Sequence, residues 1–247
     1  MDLGKELKAI KPVIQSSPLP GFEYVRGYGI FALPFDSGHI LALRVFPEND
    51  FASYCTVWHR SPEGVWAIYV DGPRMDTACP RYYSAAARHV AQARISLRWT
   101  GPMDLSIEMD APRLQWNISI ATTPLVKMMN AISAAIPERL WRTPPMLRAF
   151  EQFGGILFDL GKVTLSGIAP NGHFSILMPR KMFPIASAVA RLEGQDLGKP
   201  ARSPDNPSIG SLRLPARGIF AIGRGYFKIQ DPLEYRRTVA ELHSTTS

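Results

Sequence analysis

The stretch Arg94–Ala121, RISLRWTGPMDLSIEMDAPRLQWNISIA, decides the fold. Apolar and polar residues alternate through three successive runs, which are separated by short segments that contain proline. Alternation with this period is typical of a strand that has one buried face and one face in water. Three such runs in succession predict an antiparallel meander, in which each strand pairs with the next one along the chain.

Upstream of this meander, the sequence predicts shorter strands joined by turns. GYGIFALPF and HILALRVF are apolar runs separated by the turn residues Asp-Ser-Gly. Two further runs, Tyr54 to Arg60 and Val65 to Asp71, flank the turn Ser-Pro-Glu-Gly. The 22 prolines and 19 glycines are spread along the chain, which favours many short elements over a few long ones.

Downstream of the meander, the periodicity changes from that of a strand to that of a helix. Thr123-Pro124 is a helix start signal, and the apolar residues that follow at helical spacing are Leu125, Met128, Met129, Ile132 and Ile136. A second helical piece is predicted from about 145 to 153. Strands resume with KVTLSGI and HFSILM and again near 187–192 and 218–229, around a long loop at 196–217.

These elements predict a mostly β fold, an antiparallel barrel-like or two-lobed β structure with a helical insertion. The expected organisation is an N-terminal segment at 1–23, a β domain at 24–230 with its insertion at 124–153, and a C-terminal tail at 231–247. The insertion is amphipathic and must lie against something apolar, so we expect it to act as a lid over a pocket.

The composition limits the classes of partner. The net charge is +7, with 46% hydrophobic and 20% charged residues, but the basic residues are dispersed and form no run of four. Without a clustered basic stripe, we expect no nucleic acid partner. The first twenty residues lack the apolar core of a signal peptide, and no apolar run approaches the length of a membrane span. The expected location is therefore cytoplasmic, and the oligomeric state is left open.

The cysteines and histidines give no support for a cofactor. The spacing of Cys55 and Cys79 leaves a disulfide between them open, although cytoplasmic thiols are expected to stay reduced. Two thiols alone cannot complete a four-ligand metal site, and no two histidines are spaced as ligands on one element. No phosphate-binding loop or dinucleotide fingerprint is present. We expect no metal and no cofactor.

The segment Ser53–Tyr83 is the first candidate for a functional site because its second half is crowded with reactive side chains. An imidazole with a carboxylate could move protons, arginines could hold a carboxylate, and tyrosines could donate to an oxyanion. The candidate catalytic residues are His59, Asp76 and Tyr82. The candidate ligand-binding residues are Trp58, Asp71, Arg74, Cys79, Arg81, Tyr83, Trp116, Met128, Trp141 and His173.

Each of these candidates also has a structural interpretation. His59 could be a strand-end residue that faces solvent, and Asp76 could cap a turn. Cys79 lies near Arg74 and Arg81, which would lower the pKa of its thiol, but it could equally be a small buried apolar residue. His173 follows Asn-Gly at the start of a strand and could be a satisfied structural histidine.

The helical insertion is the second informative feature. Its methionines and phenylalanines form soft apolar surface, and the cations interleaved with them are Lys127, Arg139, Arg142 and Arg148. This combination suits an amphiphile with an anionic head, or a membrane surface. The alternative is ordinary core packing with the arginines in solvent.

Three parts of the chain resemble lipocalin-like (calycin) β proteins, in particular the group that includes carotenoid 1,2-hydratase. They are TVWHRSPEGVWAIYVDG, the meander through LQWNISI, and GKVTLSGIAPNGHFSILM. The resemblance implies a protein that binds or transforms apolar small molecules inside a β lobe, and it carries over no catalytic residue. A second resemblance is to acetoacetate decarboxylase-like proteins, which use a Schiff-base lysine. It is carried by Met-Pro-Arg180-Lys181, in which arginine replaces the expected neighbouring lysine.

The leading hypothesis is a protein that binds a hydrophobic small molecule of the isoprenoid or fatty-acyl type. If it is an enzyme, we expect a cofactor-independent lyase or isomerase that catalyses hydration, dehydration or isomerisation. His59 or Asp76 would then move the proton, and Arg81 with Tyr82 would position the polar end of the ligand. The alternatives are a non-catalytic lipid carrier or sensor, a Schiff-base enzyme that uses Lys181, and a peripheral membrane or partner-binding module.

Overall fold

The structure is a computed structural model that describes residues 2–8 and 10–245. It is mostly β, with 42% strand and 24% helix, which confirms the predicted fold class. The strands are β1 (Val13–Ile14), β2 (Phe22–Pro34), β3 (Ile40–Asn49), β4 (Tyr54–Arg60), β5 (Trp66–Asp71), β6 (Ala87–Gln92), β7 (Ile95–Trp99), β8 (Asp104–Met109), β9 (Leu114–Ile120), β10 (Ser166–Ile168), β11 (Phe174–Leu192), β12 (Gln195–Asp196), β13 (Ser208–Ile209), β14 (Leu212–Arg213) and β15 (Ile219–Lys228). The helices are α1 (Leu3–Lys8), α2 (Pro80–Tyr83), α3 (Pro124–Ala135), α4 (Glu138–Trp141), α5 (Pro144–Leu157) and α6 (Pro232–Thr245), with 3₁₀ turns at Met75–Thr77 and Ser84–Ala86.

One continuous mixed sheet carries the fold, in the order β6-β5-β4-β3-β2-β15-β11-β9-β8-β7. Leu43 and Tyr69, from one half of this order, pack in the same core as Ile107 and Trp116, from the other half. The sheet must therefore curl so that its two halves face each other. The result is an open, curled half-barrel, and of the two predicted arrangements it is the barrel-like one.

The meander predicted from Arg94–Ala121 is confirmed. β7, β8 and β9 pair as successive antiparallel strands, with Leu97 opposite Ile107 and Ile107 opposite Trp116. Trp116 is fully buried in the core enclosed by the curl, whereas its neighbour Gln115 is exposed. The alternation in the sequence therefore corresponds to one face in the core and one face in water.

The strands upstream of the meander are also confirmed, but they are covered on both faces. Leu41 and Leu43 of β3 lie in the core inside the curl, and we call this the inner face of the sheet. Ala42 points the other way into a second core, and so does Arg44, because side chains alternate along a strand. We call this the outer face. Burial on both faces explains why this run is apolar except at Arg44.

β11 corrects the sequence prediction, which expected separate strands at HFSILM and near 187–192. It is one strand of 19 residues that contains both Pro179 and Pro184. β10 pairs with its first residues and β9 with the part from Ile185 onward, so residues 178–184 lie between these two neighbours. Proline is tolerated where a strand lacks a neighbour on one side, which is why these prolines do not end the strand.

The helical insertion fills this gap at the edge of β11. The side chain of Asn130, on α3, donates to the backbone oxygen of Met182 (3.0 Å) and accepts from its amide nitrogen (2.8 Å). Arg180 in turn donates to the backbone oxygens of Ala134 and Ile136. The predicted start of α3 is confirmed, since the Thr123 hydroxyl caps it. The insertion extends to the end of α5, beyond the expected boundary at 153.

Glycines let strands approach closely near the centre of the sheet. A Cβ atom on Gly29 of β2 would lie 2.0 Å from the backbone oxygen of Leu43, and one on Gly223 of β15 would lie 2.2 Å from that of Met178. No side chain fits at such distances. The outer face is therefore bare of side chains at these points.

The first and last helices pack against the rest of the fold. α1 buries Leu3 and Leu7 in the core inside the curl. α6 forms most of the expected C-terminal tail at 231–247, of which residues 246 and 247 lie outside the described residues. Among the helices that the structure describes, none is long and apolar enough to cross a membrane.

Candidate functional site

A large, mostly apolar pocket lies against the outer face of β2, β3, β4, β11 and β15. It has an empty volume of about 1210 Å³, part of which is open to solvent. Its floor is opened by the glycines of β2 and β15, which leave the sheet without side chains there. Its cover comes from three segments that are distant in sequence, namely α5 through Phe150 and Gly154, residues 160–165, and residues 209–215.

Arg44 is the main polar feature of the pocket wall. It projects from the outer face of β3, and its guanidinium lies 4.6 Å from the ring centroid of Phe31 and 5.8 Å from that of Trp58. Nη1 donates to the backbone oxygens of Ile30 and Leu43, and Nη2 donates to that of Phe31 at 3.0 Å. These contacts place the guanidinium beside the point where the pairing of β2 with β3 shifts its register.

Within the described part of the chain, no carboxylate lies within ion-pair distance of Arg44. The loss of hydration lowers the pKa of its guanidinium, but arginine keeps its proton at any physiological pH. Two of its five N–H donors, those of Nε and one of Nη2, have no partner among the described residues. Arg44 is thus a partly buried cation in the pocket wall, with donors to spare and no counter-ion among the described residues.

The polar groups beside Arg44 are neutral. Trp58 Nε1 donates to the hydroxyl of Thr56 (2.9 Å), which lies 3.5 Å from the sulfur of Cys79, and that sulfur lies 3.8 Å from the Tyr54 hydroxyl. Burial raises the pKa of the Cys79 thiol, and it likewise raises the pKa of the Tyr54 and Tyr83 hydroxyls. Cys55 and Cys79 are both free thiols. At neutral pH this cluster can donate hydrogen bonds but supplies neither a thiolate nor a base.

No Asp, Glu or His stands among the pocket-lining residues that the structure describes. Besides Arg44, two arginines reach the lining. Arg224 pairs with Glu138, and Arg213 is exposed. The described lining can therefore fix an anionic group and enclose an apolar body, and it contains no carboxylate or imidazole to act as a general base.

Four of the predicted site residues line this pocket, namely Trp58, Cys79, Tyr82 and Tyr83. Trp58 reaches it because it projects from the outer face of β4. The other three come from the loop after β5, whose short helix α2 packs on the same face. The ring of Tyr82 stacks on Phe227 with centroids 3.7 Å apart.

The arginines expected to hold a ligand carboxylate are already paired within the protein. Arg81 donates to both carboxylate oxygens of the buried Glu23 at 2.8–3.0 Å, and it also contacts Glu234. Arg74 is bound by Asp76 and Glu241 at the surface. Neither guanidinium is left with the uncompensated charge that Arg44 has.

The three candidate catalytic residues have separate partners. His59 lies on the face of β4 opposite to Trp58, where its Nε2 is 2.8 Å from Nδ1 of His39, and burial lowers the pKa of His59 to about 4. Asp76 is exposed, and hydrogen bonds from Arg74 lower its pKa. The Tyr82 hydroxyl donates to Glu23 at 2.7 Å. The structure thus gives these residues no shared contact.

The remaining candidates are spread over the molecule. Asp71 accepts from the amide of Ile95 at 2.7 Å and so links β5 to the meander. Trp116 belongs to the core inside the curl, and Met128 is 53% exposed on α3. The two others lie in the walls near the pocket. Trp141 stacks on Phe150 (3.9 Å), and His173 is buried against Tyr82, with Nδ1 3.1 Å from the backbone oxygen of Lys228.

Lys181 stands apart from the pocket, on the inner face. Its ammonium pairs with the carboxylate of Glu6 on α1 at 2.5 Å. Lys181 is not among the residues that line the pocket, and its ammonium, which the decarboxylase-like alternative would use, is already bound by Glu6.

Sequence reasoning missed Arg44 and Glu23. Arg44 interrupts the apolar run HILALRVF, and a single charge inside a strand that is otherwise apolar on both faces was the available signal. Glu23 lies at the start of β2, and nothing in its local sequence indicates the bond to Arg81. The described residues also contain no group of three or more His, Cys, Asp or Glu side chains that could hold a metal ion.

A second buried carboxyl lies near this network. Oδ2 of Asp50 accepts from the backbone amide of Tyr24 at 2.6 Å, and burial, together with the nearby Glu23, raises the pKa of Asp50 to about 7. Its pKa in the unfolded chain is about 4. The folded protein therefore holds this proton more tightly than the unfolded chain does.

This difference predicts that replacing Asp50 by asparagine changes the pH dependence of stability. In the unaltered protein, the contribution of Asp50 is lost as the pH rises from about 4 through about 7, by about 1.4 kcal/mol for each unit of pKa difference. Relative to it, Asp50→Asn should gain stability between about pH 5 and pH 8. Chemical denaturation at both pH values measures this. Asp205→Asn, at an exposed position, is the control. The prediction is contradicted if the unfolding free energies of Asp50→Asn and the unaltered protein differ by the same amount at both pH values.

Comparison with known proteins gives no match. No family model fits the sequence, and neither a curated protein nor a solved structure matches the chain. The curled, mostly β half-barrel is compatible with a calycin-like fold.

Proposed function

We propose that this protein binds an apolar small molecule that carries a carboxylate or similar anionic head. Arg44 is the observation that carries the proposal, because it is a partly buried cation in the wall of an apolar pocket and has no carboxylate partner among the described residues. Isolated charges are costly to keep out of water, and a ligand anion would offset that cost. The head would lie at Arg44, and the apolar body would lie along the floor of β2 and β15.

The pocket favours binding over acid/base catalysis. The titratable groups around the Arg44 guanidinium are Tyr54, Cys79 and Tyr83, and all are held in their protonated forms by burial. A hydratase or an isomerase needs a group that accepts a proton, and the described lining has no carboxylate or imidazole for that task. A carrier or sensor of amphiphiles is therefore the form of the proposal that the geometry supports best.

The resemblance to the hydratase-type calycin group stays a prediction. In such proteins the resemblance implies a ligand inside the β lobe, but here the inner face is filled by the core that contains Leu43 and Trp116. The proposed ligand lies on the outer face instead. The cytoplasmic location also stays a prediction.

The proposal predicts a preference for one head group among ligands with the same chain. Dodecanoate should bind more tightly than dodecanol by about tenfold or more, since a hydrogen bond to a charged group contributes about 1.5–3 kcal/mol. Dodecylamine should bind least, because its cation would meet Arg44. Isothermal titration of the three compounds measures this. Equal affinity for the acid and the alcohol would overturn the proposal. Comparing a branched isoprenoid acid with dodecanoate would show whether the pocket prefers an isoprenoid or a fatty-acyl ligand.

A further inference from the structure

The helical insertion presents an apolar surface to solvent. The large side chains on it are Met128 (53% exposed) and Ile132 (51%) of α3, and Phe153 (65%) and Ile156 (84%) of α5. They follow one another at helical spacing, so each helix presents an apolar stripe. Clustered exposure of this kind marks an interaction site more often than isolated apolar residues do.

The exposed charges that the insertion itself carries are of one sign. Lys127, Arg139 and Arg148 are exposed on the insertion. Its two acidic residues are turned toward the protein, where Glu138 bonds to Arg224 and Tyr226, and Glu151 accepts from the amide of Leu165 at 2.6 Å. On the insertion, solvent therefore meets apolar side chains together with cations, while both of its carboxylates are occupied.

A groove between α3 and α5 joins this surface to the pocket. It has an empty volume of about 780 Å³, part of it open to solvent, and Ile132 and Phe153 are among its lining residues. The groove and the pocket share Phe150, Gly154 and Met182 in their walls. An apolar molecule that enters the groove from outside would therefore lie next to the pocket.

We infer that this surface docks on a lipid bilayer that contains anionic headgroups, with the apolar stripes inserted into the interface and the cations among the headgroups. An amphipathic helical surface with apolar residues on one side and cations at its margin has this chemistry. A second copy of the chain is a poorer occupant, because it would bring the same cations face to face. An acidic protein would match the cations but offers no reason for stripes this apolar.

Flotation with vesicles tests the docking without any pocket ligand, so its failure is distinguishable from failure of the proposed function. Vesicles of phosphatidylcholine with phosphatidylglycerol should carry the protein, and those of phosphatidylcholine alone should not. High salt should release it. The double variant Phe153→Ser with Ile156→Ser should reduce the bound fraction about tenfold or more, since two large apolar side chains no longer insert.

Matched variants separate the two parts of the surface. Leu233→Ser is the control, since Leu233 is 72% exposed on α6, outside the insertion, and it should float like the unaltered protein. Changing Lys127, Arg139 and Arg148 to glutamine should remove the preference for anionic vesicles. The inference would be overturned if the Phe153/Ile156 variant floated as well as the unaltered protein, or if neutral vesicles carried the protein as well as anionic ones. It would also be overturned if sedimentation showed a dimer that the same variant abolishes.

Discussion

Replacing Arg44 by methionine is expected to weaken the binding of dodecanoate by about 30-fold or more. Removing one partner of a buried, hydrogen-bonded charge pair costs about 2–5 kcal/mol, because the remaining charge is left without compensation. Methionine keeps the length and apolar character of the stem, so the affinity for dodecanol should hardly change. The acid-to-alcohol preference should therefore disappear in Arg44→Met, which isothermal titration of both ligands would measure.

Three controls separate binding from folding. Arg44 also donates to backbone oxygens of Ile30, Leu43 and Phe31, so unfolding should be measured beside binding. Arg44→Lys keeps the charge without the planar fork and should lose only part of the preference. Arg213→Met removes an exposed arginine from the same pocket lining and should leave the preference intact. An Arg44→Met protein that is folded and still prefers the acid would refute the role of Arg44.

Replacing Glu23 by glutamine is expected to destabilise the fold by about 3–5 kcal/mol, since it leaves a buried guanidinium without its main partner. The side chains of Glu23 and Arg81 are only 1% and 9% exposed. Glu23 also accepts from the Tyr82 hydroxyl, so β2 and α2 are joined through this one carboxylate. Thermal and chemical unfolding would show the loss, and Arg81→Met should destabilise for the same reason.

An exposed ion pair supplies the comparison. Asp76→Asn breaks the bonds between Arg74 and Asp76, whose side chains are 37% and 60% exposed, and such pairs contribute about 0–1 kcal/mol. The double variant Glu23→Leu with Arg81→Met should recover part of the stability lost in Glu23→Gln, because no charge is then left buried. If Glu23→Gln loses no more stability than Asp76→Asn does, then Glu234 is sufficient to offset the charge of Arg81.

The parts of the fold that local patterns determine could be predicted. The meander followed from alternation, and α3 from its spacing and from the Thr123 cap. β11 could not be predicted as one strand, because the tolerance of its prolines depends on the strand having no neighbour beside residues 178–184. That fact belongs to the assembled sheet and not to the local sequence.

The candidate site shows the same division. Trp58 and Tyr83, from the candidate segment Ser53–Tyr83, line the pocket. His59 lies next to Trp58 in the chain but on the other face of β4, since side chains alternate along a strand. The pocket cover comes from residues 160–165 and 209–215, and the pattern of neither segment indicates that they meet over β3. Long-range packing of this kind brought Arg44, an apparent interruption of an apolar strand, into the site.

The gap beside β11 has a consequence for solubility. Strand edges with free amide and carbonyl groups are templates for pairing between molecules, and proteins usually cover them. Here the cover is the helix α3, which is held to the strand by the side chains of Asn130 and Arg180. A displacement of α3 would bare this edge and would at the same time open the groove between α3 and α5. Aggregation would then start from the same displacement that opens the groove, and a molecule that holds α3 in place would oppose it.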